Sequence, residues 1–71
     1  IRGMVDGLRD RLMERGGEPE EWARLIQSLG VLGETEAAAE AFALAAQAHR
    51  GDPIAVAFLK ETALLAGADV E

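Results

Sequence analysis

A recurrence with a 34-residue period runs through this 71-residue chain and restricts its fold more than any other feature. The positions that the shift pairs are Pro19 with Pro53, Gly17 with Gly51, Glu18 with Asp52, Leu25 with Leu59, and Gly33 with Gly67. A period of this length is typical of chains that stack short supersecondary units, none of which buries its apolar face alone. The recurrence therefore predicts a repeat architecture built from stacked units.

The unit that begins at Pro19 has apolar residues at helical spacing on both sides of a short turn. These residues are Trp22, Leu25 and Leu29 before Gly33, and Ala38, Phe42 and Ala45 after it. The spacing resembles the tetratricopeptide (TPR) pattern of Trp-x-x-Leu followed by Ala-x-x-x-Phe. Only 4% of the residues are aromatic, so aliphatic and alanine side chains must build the core, which suits close-packed helices. We expect an all-α fold of TPR-like antiparallel helix pairs, with about four helices, as a fragment of an α-solenoid.

Glycine and proline divide the chain into helices in this register. Residues 2–15 are expected to form the second helix of one repeat, residues 19–50 a complete repeat, and residues 53–66 the first helix of the next. Together they make residues 1–71 a single TPR-like domain or fragment. Gly16 is well placed to end the first helix in a left-handed conformation. Gly30 and Gly33 are expected to frame the next turn, and Thr35 to cap the third helix.

The first and last helices differ in how they distribute apolar residues. In the first helix the predicted buried stripe consists of Met4, Val5, Leu8, Leu12 and Met13, with the methionines acting as core residues rather than metal or haem ligands. The last helix, residues 53–66, is apolar nearly all the way round and should be covered on more than one side. Its cover is a further helix, a second copy of the chain, or a ligand. Because Ile1 opens inside a helical pattern, we expect a longer parent protein.

Composition argues against several classes of function. The net charge of −6 is unfavourable for nucleic acid or an anionic membrane surface, which attract clustered Lys and Arg. No apolar run approaches the roughly 20 residues of a membrane span, so we expect no direct membrane contact from these residues. The chain has no cysteine and one histidine, His49, which we expect to lie near the negative end of a helix dipole rather than in a metal site. No catalytic constellation is present, so we expect neither an enzyme nor a bound cofactor.

A TPR solenoid turns the first helix of each repeat toward a concave surface that binds peptides. In this register the candidate peptide-binding residues come from two helices and are Glu20, Ala23, Arg24 and Gln27, with Gly30 beside them, and Ile54, Ala57, Phe58, Glu61 and Leu65. The mixture favours an amphipathic helix that carries lysines, with its apolar face on Phe58 and Leu65 and its cations near Glu20 and Glu61.

The opening residues, Ile-Arg-Gly-Met-Val-Asp-Gly-Leu, together with Leu12, Trp22, Leu25 and the Val31-Leu32-Gly33 turn, resemble one family in particular. The resemblance is to the C-terminal TPR region of cytochrome c biogenesis factors of the CcmI/CycH type, and it covers about residues 1–50. It implies a periplasmic module, attached to the inner membrane by a separate segment of the full-length protein. The implied role is to hold apocytochrome c, largely by its C-terminal helix, for the haem lyase subunits of the maturation machinery.

Two other functions are compatible with the same residues. One is a general TPR adaptor unrelated to cytochrome c, which only the opening segment distinguishes from the family. The other is a structural module that forms a homo-oligomer through residues 53–66, in which the last helix buries its second face against a symmetry mate.

Overall fold

The computed structural model describes residues 2–68, and within that range the chain forms four α-helices and no β-strand. The helices are α1 (Arg2–Arg15), α2 (Pro19–Val31), α3 (Thr35–Ala48) and α4 (Pro53–Leu65). The prediction of an all-α chain with about four helices is confirmed, and the arrangement is compatible with TPR-like helix pairs. Ile1, the first residue of the segment of family resemblance, and residues 69–71 lie outside the described range.

The backbone hydrogen bonds that end α2 and α4 repeat with the same 34-residue period as the sequence. The Glu34 N–H donates to the Leu29 carbonyl over 2.9 Å, and the equivalent bond after α4 runs from Ala68 to Ala63, also over 2.9 Å. Gly33, directly before Glu34, has a φ of 77°. Gly67, which stands 34 residues later and directly before Ala68, has a φ of 86°. Both helices therefore end in the six-residue glycine motif that satisfies the last free carbonyls.

The helices begin with different capping arrangements. Pro53 is the first residue of α4, and the Asp52 carboxylate accepts a hydrogen bond from the Ala55 N–H over 3.2 Å. Before α3, the residue at the N-cap position is Glu34, and no side-chain hydrogen bond caps that helix. Thr35 is the first residue of α3 rather than its cap, so the prediction of a threonine cap was wrong.

The core lies where α2 packs between the other three helices. Its largest fully buried side chains are Leu12, Leu25, Ile26 and Leu59. The face of α3 toward the core is made of alanine, and the buried residues there are Ala38, Ala41 and Ala45. Small side chains let neighbouring helices approach closely, and alanine also has the highest intrinsic helix propensity. Helix α3 therefore contacts both α2 and α4, while α1 packs on α2.

The buried stripe of α1 is narrower than its apolar pattern predicts. Val5 and Leu12 are buried and Leu8 is half-buried, but Met4 and Met13 are exposed. The prediction that both methionines belong to the core was wrong, because α1 packs mainly against α2 and buries a single side.

His49, directly after α3, joins two loops of the molecule. Its Nε2 lies 2.9 Å from the Gly17 carbonyl oxygen in the turn between α1 and α2. The histidine thus ties the end of α3 to the start of α2. Within residues 2–68, none of the four helices has both the length and the apolar character that crossing a membrane requires.

Candidate peptide-binding groove

Helices α2 and α4 pack side by side, and two depressions lie along the line where they meet. The N-terminal depression has a volume of about 360 Å³, and its lining residues are Pro19, Glu20, Asp52, Ile54, Ala55 and Phe58. The C-terminal depression has a volume of about 310 Å³, and its lining residues are Gln27, Gly30, Val31, Thr62, Leu65 and Ala66. We call the two depressions and the surface between them the groove.

Helical spacing places the exposed residues of each helix on the same side of the molecule. On α4, residues 54, 58, 61 and 65 are separated by three or four positions, which is the spacing of one helix face. On α2, residues 20, 24, 27 and 31 have the same spacing and stand 34 positions earlier. The groove is therefore bordered by two equivalent faces of consecutive units in the repeat.

Large apolar side chains along the groove are exposed. Ile54 is 82% exposed and Leu65 is 85% exposed, and Val31 across the groove is 88% exposed. Phe58, which lies between Ile54 and Leu65 along α4, is 43% exposed. Scattered exposed apolar residues are ordinary, but an aligned set at the junction of two helices is the kind of surface that marks an interaction site.

The sequence-predicted residues fall into three groups. Lining the two depressions are Glu20, Gln27, Ile54, Phe58 and Leu65. Exposed but outside both depressions are Ala57, Glu61 and Arg24, the last of which lines a separate depression between α1 and α2. Ala23 is buried in the core, so the prediction that it lies on the binding surface was wrong. The packing of α2 against its neighbouring helices covers this side chain and leaves it unable to contact a partner.

Among the large apolar residues of the groove, Val31 was missed because α2 continues through Gly30, which the sequence placed in a turn, and ends at Val31. Val31 belongs to the last turn of α2 and borders the C-terminal depression, and Gly30 lies inside the helix rather than in the turn. The repeat itself carried the missing signal, since Val31 stands 34 residues before Leu65.

Gly30 is where α2 and α4 come closest at this end of the groove. A β-carbon at Gly30 would lie 2.7 Å from the Ala66 Cβ and 2.8 Å from the Ala66 carbonyl oxygen. Distances this short are not found between non-bonded atoms of these kinds, so only glycine fits. The absent side chain lets the two backbones form the floor of the C-terminal depression.

The charged groups of the groove are mostly free to meet a ligand. Among the residues that the structure describes, the side chains of Glu20, Arg24 and Glu61 make no hydrogen bond or ion pair. One oxygen of Asp52 accepts from the backbone at the start of α4. The carboxylates of Glu20 and Asp52 line the groove, whereas Arg24 lines the depression between α1 and α2, so the charge of the groove is net negative.

The described residues contain no cluster of candidate metal ligands. Within residues 2–68, no group of three or more His, Cys, Asp or Glu side chains is placed to hold a metal ion. Comparison with known proteins finds no family model, curated protein or solved structure that matches the chain. What the groove binds is therefore inferred from its own residues and from the resemblance of the opening segment.

Proposed function

We propose that this chain is a helical protein-binding module that holds an amphipathic helix of its partner in the groove between α2 and α4. The observation that carries the proposal is the aligned, exposed set of Val31, Ile54, Phe58 and Leu65. An amphipathic helix that lies in an apolar groove contacts it through residues three or four positions apart, which is the spacing that these side chains present. Covering them removes apolar surface from water in both partners.

The charge of the groove specifies the kind of helix. The chain carries a net charge of −6, and the ionisable residues that line the groove, Glu20 and Asp52, are both acidic. Opposite charges on a partner increase the association rate and disfavour acidic competitors. A helix with one apolar face and flanking lysines is therefore the best complement.

We propose that the natural occupant is the C-terminal helix of an apocytochrome c, held for haem ligation during c-type cytochrome maturation. The support for this step is the resemblance of residues 1–8, and of the Trp22 to Gly33 segment, to biogenesis factors of the CcmI/CycH type. The same resemblance supports a periplasmic location, attachment to the inner membrane through another part of the full-length protein, and contact with haem lyase subunits.

We propose a binding role rather than catalysis. The single histidine has its Nε2 at 2.9 Å from a backbone carbonyl, an interaction that joins two loops. Nucleophilic catalysis requires a nucleophile beside a base that a third group orients. His49 instead makes a structural contact.

Isothermal titration calorimetry with a synthetic apocytochrome c C-terminal peptide tests the proposal. Phe58→Ala should weaken binding about fivefold or more, because truncating an aromatic anchor that the partner covers costs over about 1 kcal/mol at a binding hot spot. Glu61→Ala should weaken it less, since an exposed ion pair is worth about 0.2–1 kcal/mol. Leu44→Ala is the matched control, because Leu44 is an exposed apolar residue on α3 that lines neither depression of the groove.

Two results would separate the alternatives. If unrelated basic amphipathic helices bind as tightly as the cytochrome peptide, the chain is a general adaptor and the cytochrome assignment fails. If sedimentation shows an oligomer that persists on dilution and binds no peptide, the chain is a self-associating structural module and the binding proposal fails. Unchanged peptide affinity in a folded Phe58→Ala variant contradicts the groove itself.

A further inference from the structure

The two ends of the groove differ in chemistry, and this difference gives the groove a direction. The N-terminal depression has the carboxylates of Glu20 and Asp52 beside the apolar side chains of Ile54 and Phe58. The C-terminal depression has no ionisable residue in its lining. A bound helix therefore contacts carboxylates and apolar side chains at the N-terminal depression, and only uncharged groups at the C-terminal depression.

The N-terminal depression suits the whole side chain of a lysine. Ile54 and Phe58 provide apolar surface for the methylene groups, while Glu20 offers a carboxylate that makes no other hydrogen bond or ion pair within residues 2–68. The helix dipoles place roughly half a positive charge at the N-terminal ends of α2 and α4, and these charges repel a cation. The two carboxylates outweigh them, so the end remains attractive to an ammonium group, and the Phe58 ring adds a cation–π contribution.

The C-terminal depression suits a large apolar side chain. Val31 and Leu65 project from opposite sides and are almost fully exposed. Between them, Gly30 and Ala66 approach closely enough to leave no room for a further β-carbon, which closes the floor. A leucine or phenylalanine placed there would cover both exposed side chains, whereas a charged group would find no opposite charge in the lining.

The distance between the two depressions determines how far apart, on the bound partner helix, the two side chains that fill them must be. Ile54 and Leu65 are eleven residues apart on α4, which corresponds to about 16 Å along a helix at a rise of 1.5 Å per residue. We infer that the groove is directional: it binds a helix that carries a lysine and a large apolar residue about eleven positions apart, with the lysine over Glu20. This inference rests on the function proposed above.

Two peptides of identical composition test the spacing by calorimetry at low ionic strength. The first has a lysine and a leucine eleven positions apart on the apolar face, and the second has the lysine moved to the middle of the same face. The first peptide should bind about two- to fivefold more tightly, the size expected for one exposed ion pair. Equal affinities overturn the inference.

A charge exchange tests the position of the lysine. Glu20→Lys should weaken the first peptide by about threefold to tenfold, and a peptide with glutamate in place of that lysine should regain the loss. Glu36→Lys is the matched control, since Glu36 occupies the first turn of α3 as Glu20 occupies that of α2, and it lies outside the groove. The control variant should leave both affinities unchanged.

The outcomes distinguish this inference from the proposed function. If both peptides bind the unaltered chain but neither Glu20→Lys nor the lysine position changes the affinity, the direction is wrong and the binding module stands. If no helical peptide binds, the proposed function fails, and the direction fails with it. If exchange of the two charges restores binding, Glu20 receives the partner's cation.

Discussion

Replacing Gly30 with alanine tests whether α2 and α4 meet at the C-terminal end of the groove as the structure shows. The new β-carbon would lie 2.8 Å from the Ala66 carbonyl oxygen and 2.7 Å from the Ala66 Cβ. The oxygen belongs to the backbone, so no side-chain rotation relieves the contact and the two helices must separate. Overpacking of this kind costs about 1–3 kcal/mol. The higher helix propensity of alanine returns at most about 1 kcal/mol.

The expected net effect of Gly30→Ala is a loss of about 1 kcal/mol in the free energy of unfolding. In a chain of this size that loss lowers the Tm by about 4–8 °C. Urea denaturation followed by circular dichroism measures it. Gly7→Ala in α1 is the control, because nothing lies within 4 Å of a β-carbon there, and it should stabilise the chain by up to about 1 kcal/mol. If Gly30→Ala stabilises the chain as Gly7→Ala does, the close approach of α2 and α4 is wrong.

Three further predictions concern stability, each measured by urea denaturation. Leu59→Ala should cost about 2–5 kcal/mol because its side chain is fully buried, whereas Ile54→Ala, on the exposed face of α4, should change stability by less than about 0.5 kcal/mol; equal effects would place the wrong face of α4 inward. Asp52→Ala should cost about 1 kcal/mol through loss of the cap to the Ala55 N–H, and Asp52→Asn should retain most of it; an equal loss in both would contradict the cap. Trp22→Ala should cost about 3–5 kcal/mol. Trp22→Phe should cost clearly less, because phenylalanine keeps a buried aromatic ring and the indole N–H of Trp22 has no hydrogen-bond partner within the described residues to lose; equal losses would contradict this.

Helices and their ends were predictable where a local chemical rule decides them. Gly16 and Gly33 both have positive φ, and Pro19 and Pro53 both begin helices, as glycine and proline at these positions predict. The buried stripe of α2 was also predictable, because Trp22 and its helical neighbours leave a single apolar face.

The features that the sequence did not predict depend on which helices pack against each other in the folded chain. Met4 has the spacing of a core residue, but a helix that packs mainly on one partner exposes the rest of its apolar stripe. Gly30 reads as a turn residue locally, and only the position of Ala66 on another helix shows why glycine is needed there. Ala23 likewise has the register of a surface residue, and tertiary packing buries it.

The candidate site was predictable in its register and incomplete in its extent. The faces of α2 and α4 follow from the 34-residue period, and three of the residues that it selects, Glu20, Ile54 and Phe58, line one depression. The C-terminal depression was harder to predict from the sequence, because its shape depends on where α2 ends and on how closely Gly30 approaches Ala66.

Amide chemical-shift mapping by NMR during titration with the apocytochrome c C-terminal peptide tests the central claim most directly. Because the groove borders are the exposed faces of α2 and α4, binding should shift the amides of Gln27 to Val31 and of Ile54 to Leu65. The alanine-rich helix α3 should respond weakly, since it lies behind them. Shifts concentrated on α1 and α3, or no shifts at peptide concentrations well above that of the protein, would contradict a binding groove between α2 and α4.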